Sequence, residues 1–581
     1  MSTDYLKLLE RLKSFIRREY ATQRLQLEKQ WSLPLAQRVQ QGYAIEGLHV
    51  TGMKSEALKL ECRINDSRFR DGDLLVLHRG NPRGPETIQC FLDYDDETRL
   101  DVIVTDGKPF LLQKYPGGWI ADESMLDLSS MFLDTLDQVS DTVRGRDFIL
   151  PLISGDLAPT IDYARYERAW EAAQDEALND TQCEALANAY ATDLTYLIQG
   201  PPGTGKTLVL AHLARLLAAD GYRVLVTALT HRAINNALNK IYRLDPALPL
   251  CKIGQHGAAR DLLALNYHYF AEADFAYSEH GYIVGATPFA TRSQRLANVE
   301  FDVVIFDEAS QITLPLAMMG MLAGERYIFI GDDRQLPPVV SSGATEIGKT
   351  SIFGYLNGRG YETMLDVTYR LNDKLNDWPS RMFYENRLQP APEVGARRLE
   401  LSGNSDSWGF ALSPEHPAVF LDLGHRNASV RSRAEAEVVV ELIQSLMRAK
   451  IHPRQIGVIA PFRAQGRLIR RLLRRVMPSE ETLRELVVDT VERMQGQERE
   501  VIIVSMTTSN PVFAGRLANF YFQPERLNVS ITRPRTKLIL VGSSQVLRAQ
   551  PEDPDDSVWV DLLRDLLAHC TTFDLSQGKH Y

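Results

Sequence analysis

The sequence predicts an α/β protein in which a helical stalk and a small β-barrel precede two parallel-sheet domains in tandem. Two observations predict this organisation. Apolar runs of strand length alternate with helix-length intervals after about residue 195, and the alternation starts again after residue 348. Such runs are typical of parallel sheets covered by helices on both faces. Between about residues 36 and 114, short β-prone segments are separated by Gly, Asp, Asn and Pro, which is typical of a small barrel.

Composition indicates a globular protein with several domains. The chain has 581 residues, of which 44% are hydrophobic and 24% charged, and it has no apolar run of about 18 residues that would predict a membrane span. The start of the chain lacks a signal-peptide pattern. Its five cysteines form no Cys-x-x-Cys pair, so we expect neither a zinc module nor a disulfide framework, and a cytoplasmic location. The net charge of −10 argues against a purely electrostatic nucleic-acid binder but permits a local basic channel.

The domain boundaries follow from changes in pattern along the chain. Leu6, Leu9, Leu12 and Phe15 recur at three-residue spacing among charged residues, which predicts an amphipathic helix packed on its own domain. A second helix-like stretch follows the barrel, and a polar, irregular stretch links it to the core. The predicted segments are a stalk helix at 1–35, the barrel at 36–120, a second stalk helix with linker at 121–177, and α/β domains at 178–345 and 346–581.

A phosphate-binding loop lies between a β-prone segment and the start of a helix. Its residues are Gly200, Pro201, Pro202, Gly203, Thr204, Gly205, Lys206 and Thr207. Glycines let a run of backbone N–H groups curl around phosphate oxygens, and the positive end of the helix dipole favours the same anion. In such loops the lysine reaches the β- and γ-phosphates and the hydroxyl of the following residue holds Mg²⁺. The first α/β domain is therefore predicted to bind a nucleoside triphosphate with Mg²⁺.

Two carboxylates and a glutamine follow later strands of the same domain. Asp307 and Glu308 end an apolar run, where P-loop enzymes place a metal-binding carboxylate and a residue that orients or deprotonates the attacking water. We assign Asp307 to the metal and Glu308 to the water. Gln335 follows the next strand and is a candidate γ-phosphate sensor. Hydrolysis also needs positive charge on the γ-phosphoryl group, for which Arg370 and Arg533 are candidates, although composition alone does not distinguish them from surface arginines.

The complete set of motifs resembles the superfamily 1B helicases of the nonsense-mediated-decay and immunoglobulin-mu-binding-protein group. The resemblance covers about residues 178–543. Its motifs, in order, are LNDTQ at 178–182, GPPGTGKT at 200–207, TALTHRA at 227–233, GAT at 285–287, DEASQ at 307–311, GDDRQLPP at 331–338, TYR at 368–370, APFRAQ at 460–465, VDTVERMQGQE at 488–498 and NVSITR at 528–533. The helix–barrel–helix prefix is also similar to that group, and the resemblance implies two RecA-like domains.

The resemblance implies roles around the nucleotide. Gln182 would hydrogen-bond the adenine and Tyr369 would stack on it. Gln335, Gly496 and Glu498 would line the γ-phosphate side, and Arg370 and Arg533 would be arginine fingers. Pro534 stands where the family usually has alanine, and proline biases the preceding residue away from the α conformation.

The resemblance also implies roles along the nucleic acid. Thr230, Thr287, Thr490 and the region from Arg463 to Gln465 would lie along the nucleic-acid track or couple it to ATP. Family members move 5′-to-3′ on single strands and act as monomers. The resulting hypothesis is an ATP- and Mg²⁺-dependent helicase or translocase on single-stranded DNA or RNA. Two alternatives stay open: an ATP-gated clamp or scaffold with little unwinding, and a P-loop enzyme acting on a small molecule.

Overall fold

Three sheets, one of them a closed barrel, form the framework of the protein. The computed structural model describes residues 3–54, 56–69, 72–95, 98–255, 261–342, 346–402, 407–477 and 479–576. The first sheet is an antiparallel six-stranded barrel, the second is an eight-stranded parallel sheet, and the third is a six-stranded parallel sheet. Each parallel sheet is the centre of one α/β lobe, as the sequence predicts.

The stalk and barrel occupy the amino-terminal part of the chain. The barrel closes in the order β1-β2-β5-β4-β3-β6, and its interior is filled by apolar side chains such as Leu77 and Trp119. The helices of this amino-terminal part are α1 (Thr3–Ser32), α2 (Leu35–Gln41), α3 (Phe110–Lys114), α4 (Ser129–Asp141), α5 (Leu150–Ser154) and α6 (Tyr163–Asp175). The strands are β1 (Ala44–Lys54), β2 (Ala57–Glu61), β3 (Leu74–His78), β4 (Ile88–Asp95), β5 (Arg99–Gly107) and β6 (Gly117–Glu123).

The stalk packs on the first lobe. Leu9, Leu12 and Ile16 of α1 are buried in the same apolar core as the first parallel sheet. The Glu19 carboxylate accepts hydrogen bonds from the backbone N–H groups of Ser341 and Ser342, both at 2.7 Å. The stalk helix α1 is therefore part of the first lobe's core, whereas the barrel has an apolar core of its own.

The first lobe carries the order β10-β9-β11-β8-β12-β13-β7-β14, with every pair parallel. Its strands are β7 (Thr195–Gln199), β8 (Arg223–Thr227), β9 (Leu250–Ile253), β10 (Leu265–Tyr267), β11 (Tyr282–Gly285), β12 (Phe301–Phe306), β13 (Gly324–Gly331) and β14 (Glu362–Met364). Its helices are α7 (Asp180–Ala191), α8 (Lys206–Ala219), α9 (His231–Leu244), α10 (Pro288–Thr291), α11 (Leu314–Met321), α12 (Glu346–Lys349) and α13 (Ile352–Leu356).

The second lobe carries the order β19-β18-β20-β21-β17-β22, again with parallel pairs. A separate short pair, β15 (Val367–Thr368) and β16 (Gln389–Pro390), precedes it. Its strands are β17 (Ala418–Asp422), β18 (Ile456–Ile459), β19 (Val487–Asp489), β20 (Arg499–Ser505), β21 (Pro534–Gly542) and β22 (Thr571–Asp574). Its helices are α14 (Asp373–Phe383), α15 (Pro392–Gly395), α16 (Gly409–Leu412), α17 (Arg433–Arg448), α18 (Arg463–Leu473), α19 (Glu480–Glu485), α20 (Val491–Met494), α21 (Pro511–Arg516), α22 (Ala518–Tyr521), α23 (Pro524–Ile531) and α24 (Ser557–His569).

The boundary between the lobes differs from the predicted division at 345/346. Strand β14 pairs in parallel with β7 of the first sheet, and Ile352, Phe353 and Leu365 are buried in the first lobe's core. The first lobe therefore extends to about residue 365. The barrel also ends slightly later than predicted, because β6 runs to Glu123. Short apolar strands carry no sequence signal for the sheet they join, so pattern alone could not place β14.

Candidate active site between the two lobes

The phosphate-binding loop lies at the carboxyl edge of the first sheet. It connects β7 to α8, and Lys206 is the first residue of that fourteen-residue helix. The Lys206 ammonium donates a hydrogen bond to the Gly200 carbonyl. A Cβ at Gly200 would lie 1.9 Å from Lys206 Cγ. Only glycine at this position leaves room for the lysine side chain to lie along the loop. The loop then forms a cradle of the kind that binds a triphosphate.

Gly203 is the point where the linker to the second lobe packs on this loop. Its φ is +78°, and an added Cβ would lie 2.4 Å from Arg370 Cβ and 2.6 Å from Thr368 Oγ1. The Thr368 hydroxyl donates to the Pro202 carbonyl at 2.8 Å, and the Tyr369 N–H donates to the Gly203 carbonyl at 2.9 Å. The predicted finger Arg370 is therefore attached to the phosphate loop through its own backbone neighbours.

Asp307 and Glu308 follow β12 at the same edge. Burial, and secondarily the adjacent Glu308 carboxylate, raise the pKa of Asp307 to about 7, while the nearby Lys206 ammonium opposes the shift. Glu308 has a φ of +51°, an uncommon conformation for a non-glycine residue. Its carboxylate accepts a hydrogen bond from the Gln495 amide of the second lobe at 3.3 Å. A buried carboxylate beside a phosphate loop fits a metal ligand, because a bound cation would offset the cost of burying its charge. Thr207 lies in the adjoining first turn of α8.

Gln335 lies in a buried polar network that joins the two lobes. Its amide donates to Asp332 Oδ2 at 2.6 Å, and its side-chain oxygen lies 3.4 Å from the Arg533 guanidinium. The Tyr384 hydroxyl donates to the same Asp332 oxygen at 2.8 Å and accepts from the Asn528 amide at 2.8 Å. Burial raises the pKa of Asp332, so its charged form depends on these donors.

The two candidate fingers occupy the second lobe's side of the same cleft. Arg370 donates to Glu498 Oε2 at 2.7 Å and to the Thr532 carbonyl at 3.1 Å. Arg533 is 2% exposed; burial and the nearby Arg370 charge lower its pKa to about 9, which leaves it charged at neutral pH. Burial raises the pKa of Glu498, but Arg370 and Arg535 outweigh it and lower the value to about 2. The Arg533 side chain faces the cleft, 3.4 Å from Gln335 of the first lobe. Pro534, which follows it and begins β21, does not turn it away.

Gln182 and Tyr369 lie together at the end of the phosphate loop. The Gln182 amide donates to the Thr204 carbonyl at 3.0 Å, and its oxygen accepts from the Asn179 N–H at 3.1 Å. The Asn179 amide donates to the Tyr369 hydroxyl at 2.9 Å, and Tyr369 is 40% exposed. Gly496 has a φ of +73° with no neighbour within 4 Å of an added Cβ. These positions are compatible with the base-binding and γ-phosphate roles that the resemblance implies.

The predicted nucleic-acid residues divide into two groups. Thr230, Thr287 and Thr490 each stand at the start of a helix that follows a strand of their own sheet, and Arg463 is the first residue of α18.

The structure corrects the prediction that Gln465 contacts nucleic acid. Its side chain is fully buried, where it accepts from the Ser432 N–H at 2.8 Å and donates to the Ser505 hydroxyl at 3.0 Å. It connects parts of the second lobe and cannot reach a bound strand.

Three residues of this cleft were not singled out from the sequence, although two of them, Asn528 and Gln495, belong to the NVSITR and VDTVERMQGQE motifs. Tyr384, Asn528 and Gln495 meet first-lobe groups only through the folded interface. Asp332, beside Gln335 in the GDDRQLPP motif, could have been selected as a second acid at a strand end. Among the described residues no group of three or more His, Cys, Asp or Glu side chains could hold a metal, and no helix of that part of the chain is long and apolar enough to cross a membrane.

Comparisons with known proteins agree with this two-lobe arrangement. Family models described as AAA domain match residues 177–347 and 349–545. DNA replication ATP-dependent helicase/nuclease DNA2 of Saccharomyces cerevisiae is 27% identical over 81% of this chain and 34% of its own length. The Mus musculus protein of the same name is 32% identical over 65% of this chain and 38% of its own length. DNA polymerase alpha-associated DNA helicase A of Schizosaccharomyces pombe is 28% identical over 67% and 66%.

These matches support a place among the superfamily 1 helicases. The matched domains imply ATP binding, and the two RecA-like lobes agree with the predicted fold class. The chain spans little more than a third of the length of the two DNA2 relatives. A crystal structure of the arterivirus nonstructural protein 10 helicase matches 85% of this chain and 78% of its own, at 13% identity and a TM-score of 0.38.

Proposed function

We propose that this protein is an ATP- and Mg²⁺-dependent helicase that moves along single-stranded nucleic acid and separates duplexes. The observation that carries the proposal is the placement of Lys206, Asp307 and Glu308 on one wall of a cleft whose other wall supplies Arg370 and Arg533. A site divided between two lobes closes and opens with the state of the nucleotide, so hydrolysis can drive one lobe past the other.

The side chains of the first lobe have the chemistry for triphosphate hydrolysis. Lys206 and the loop N–H groups would hold the β- and γ-phosphates, while Thr207 and Asp307 would hold Mg²⁺. When bound, Mg²⁺ neutralises charge on the phosphate oxygens. Glu308 would orient and deprotonate the attacking water. The hydrogen bond from Gln495 to Glu308 would allow the second lobe to orient the Glu308 carboxylate.

The second lobe would supply charge to the transition state. Arg370 and Arg533 would stabilise the γ-phosphoryl group as bonds to it loosen. Gln335 contacts both Asp332 of the first lobe and Arg533 of the second lobe. Loss of a γ-phosphate beside Gln335 would therefore change contacts in both lobes. This is the basis for coupling the chemical step to movement along a strand.

The resemblance to the superfamily 1B group and the names of the relatives support the choice of substrate. Two of the relatives are named as DNA replication helicase/nucleases and the third as a DNA helicase, so we propose DNA as the first substrate to test. Movement 5′-to-3′ by a monomer follows from the resemblance. Backbone and stacking contacts would make binding tolerant of sequence.

The test is ATPase activity with and without single-stranded DNA and RNA, followed by strand displacement on duplexes with either tail. We expect stimulation by a single strand, loss of turnover in Lys206→Ala and Glu308→Gln, and displacement from a 5′ tail. Glu300→Gln is the matched control, since Glu300 precedes the same strand β12 at its opposite end. Undiminished turnover in Glu308→Gln would contradict the assignment, and stimulated ATPase without displacement would favour the ATP-gated clamp.

A further inference from the structure

The barrel contacts the second lobe through an arginine-rich surface near α18. Residues 463–475 contain six arginines and no acidic residue, in a chain whose net charge is −10. Arg463, Arg467 and Arg471 follow four-residue spacing, which brings them to one face of the helix. We define the arginine surface as Arg431, Arg467, Arg471 and Arg493, which lie close to barrel carboxylates among the described residues.

Two barrel carboxylates face these arginines. Asp95 lies 3.9 Å from the Arg467 guanidinium and 3.7 Å from that of Arg493. Asp66 lies 3.9 Å from Arg431 and 3.8 Å from Arg471. Each carboxylate therefore sits between two arginines of the second lobe.

Contacts within the barrel and within the second lobe orient the side chains on each side of this contact. Asn65 donates to Asp95 at 3.3 Å and also bonds Ser67, which fixes the loop that carries Asp66. Arg493 lies 3.4 Å from Asp489 one turn earlier. It belongs to the same motif as Thr490 and Gln495, the residue that contacts Glu308. The arginine surface is thus continuous in the chain with the ATP site.

The contact has the properties of one that a phosphate chain could replace. All four separations exceed hydrogen-bond length. The side chains of Asp66, Arg431 and Arg471 are 35%, 51% and 43% exposed, whereas those of Asp95 and Arg467 are 10% exposed and that of Arg493 is 23% exposed. The partly hydrated ion pairs of Asp66 contribute little net stability, so a competing anion can replace them at little cost in free energy. A phosphodiester carries the same single negative charge as a carboxylate, and guanidinium groups bind both.

We propose that Asp66 and Asp95 of the barrel cover a phosphate-binding surface of the second lobe, and that a single strand competes with the barrel for it. Without a strand, the barrel occupies Arg431, Arg467, Arg471 and Arg493. A strand that crosses the second lobe takes these arginines and releases the barrel contact. The inference rests on the proposed function, because it needs a nucleic-acid ligand.

The test is equilibrium binding of a fluorescent single-stranded oligonucleotide to the full chain, without ATP, over a series of salt concentrations. We expect the double variant Asp66→Asn/Asp95→Asn to bind about threefold to tenfold more tightly, because two competitors for the arginines are neutralised. The control Glu46→Gln/Asp106→Asn removes the same charge from exposed barrel positions and should bind as the wild type does. It separates a local contact from a change in net charge.

The arginine side is tested with Arg471→Gln. We expect weaker binding and a salt dependence reduced by about one counterion. Arg454→Gln, on the same lobe but before β18 rather than after it, should change neither. Hydrogen exchange provides a direct readout, because a bound strand should protect residues 463–473 and increase exchange in residues 62–69.

The outcomes distinguish this inference from the proposed function. A wild type that binds no oligonucleotide contradicts the function itself. A wild type that binds, with Asp66→Asn/Asp95→Asn unchanged or weaker than its control, overturns the competition and leaves the function standing. The inference is also overturned if the strand protects residues 62–69 together with 463–473.

Discussion

The Arg533 guanidinium lies 3.4 Å from the side-chain oxygen of Gln335, although Arg533 belongs to the second lobe and Gln335 to the first. The same guanidinium is held by the Val529 carbonyl at 2.9 Å and the Thr532 hydroxyl at 3.1 Å. Arg533 is therefore oriented by its own lobe before any ligand enters. A group oriented in this way costs little reorganisation when it acts on developing charge.

Arg533→Ala should abolish most ATP hydrolysis while the chain remains folded. Removal of an arginine finger costs about 10³-fold or more in turnover, and we expect the loss in kcat rather than in the KM for ATP. Steady-state ATPase with saturating single-stranded DNA measures it. Arg533→Lys keeps the charge but loses the planar fork, and should recover only a small part of the activity. A kcat within twofold of wild type in Arg533→Ala would remove Arg533 from the site.

Tyr384→Phe should weaken both stability and turnover. The hydroxyl joins Asp332 of the first lobe to Asn528 of the second, and its removal deprives a buried carboxylate of a donor at a cost of about 1–3 kcal/mol. Gln335 would then lose its fixed orientation. Urea unfolding and ATPase assays measure the two effects. Tyr327→Phe removes a buried hydroxyl that donates to the Gly324 carbonyl within the first lobe, so it should cost stability and leave turnover unchanged.

The sequence was most informative where the chemistry is local. Gly200, Lys206 and Asp307 could be assigned from one strand–loop–helix pattern and one strand end, because contiguous residues carry the function. Arg370 and Arg533 needed the whole motif set, since nothing in their own neighbourhood separates them from surface arginines.

Contacts between distant segments could not be predicted from the sequence. Gln465 was expected to lie along a nucleic-acid track or to couple it to ATP, but its amide completes hydrogen bonds inside the second lobe. Tyr384 gave no signal and Asn528 stood out only as a member of a motif, because the importance of both arises only where the lobes meet. The barrel was predicted as an element, whereas the pairing of Asp95 with Arg467 and Arg493 depends on how it docks on the second lobe.

Gly203→Ala should disrupt the connection between the phosphate loop and Arg370. Its Cβ would crowd Arg370 and Thr368, and alanine is strained at a φ of +78°. Gly358→Ala is the matched control, because Gly358 has a φ of +82° with open space around it. Both variants should lose about 1–2 kcal/mol from backbone strain, but only Gly203→Ala should also lose ATP binding. Equal ATP affinities, measured by calorimetry, would show that the contact with Arg370 is not needed.

Lys537 should make the stability of the second lobe depend on pH. Its side chain is fully buried and donates to the Ser413 carbonyl at 2.9 Å and to the His416 carbonyl, and burial lowers its pKa to about 7. An unfolded lysine has a pKa near 10.4, so above about pH 6 the folded chain binds fewer protons than the unfolded chain. The free energy of unfolding should therefore rise with pH from about 7 to about 10.

Lys537→Met removes this titration, so the stability of wild type relative to the variant should increase as pH rises from 6 to 9. Urea unfolding of both proteins at several pH values measures the difference, in which every other titrating group cancels. Lys374→Met, which changes an exposed lysine of α14, should give a difference independent of pH. A flat difference for Lys537→Met would mean that the buried ammonium stays charged throughout, held by its two carbonyl acceptors.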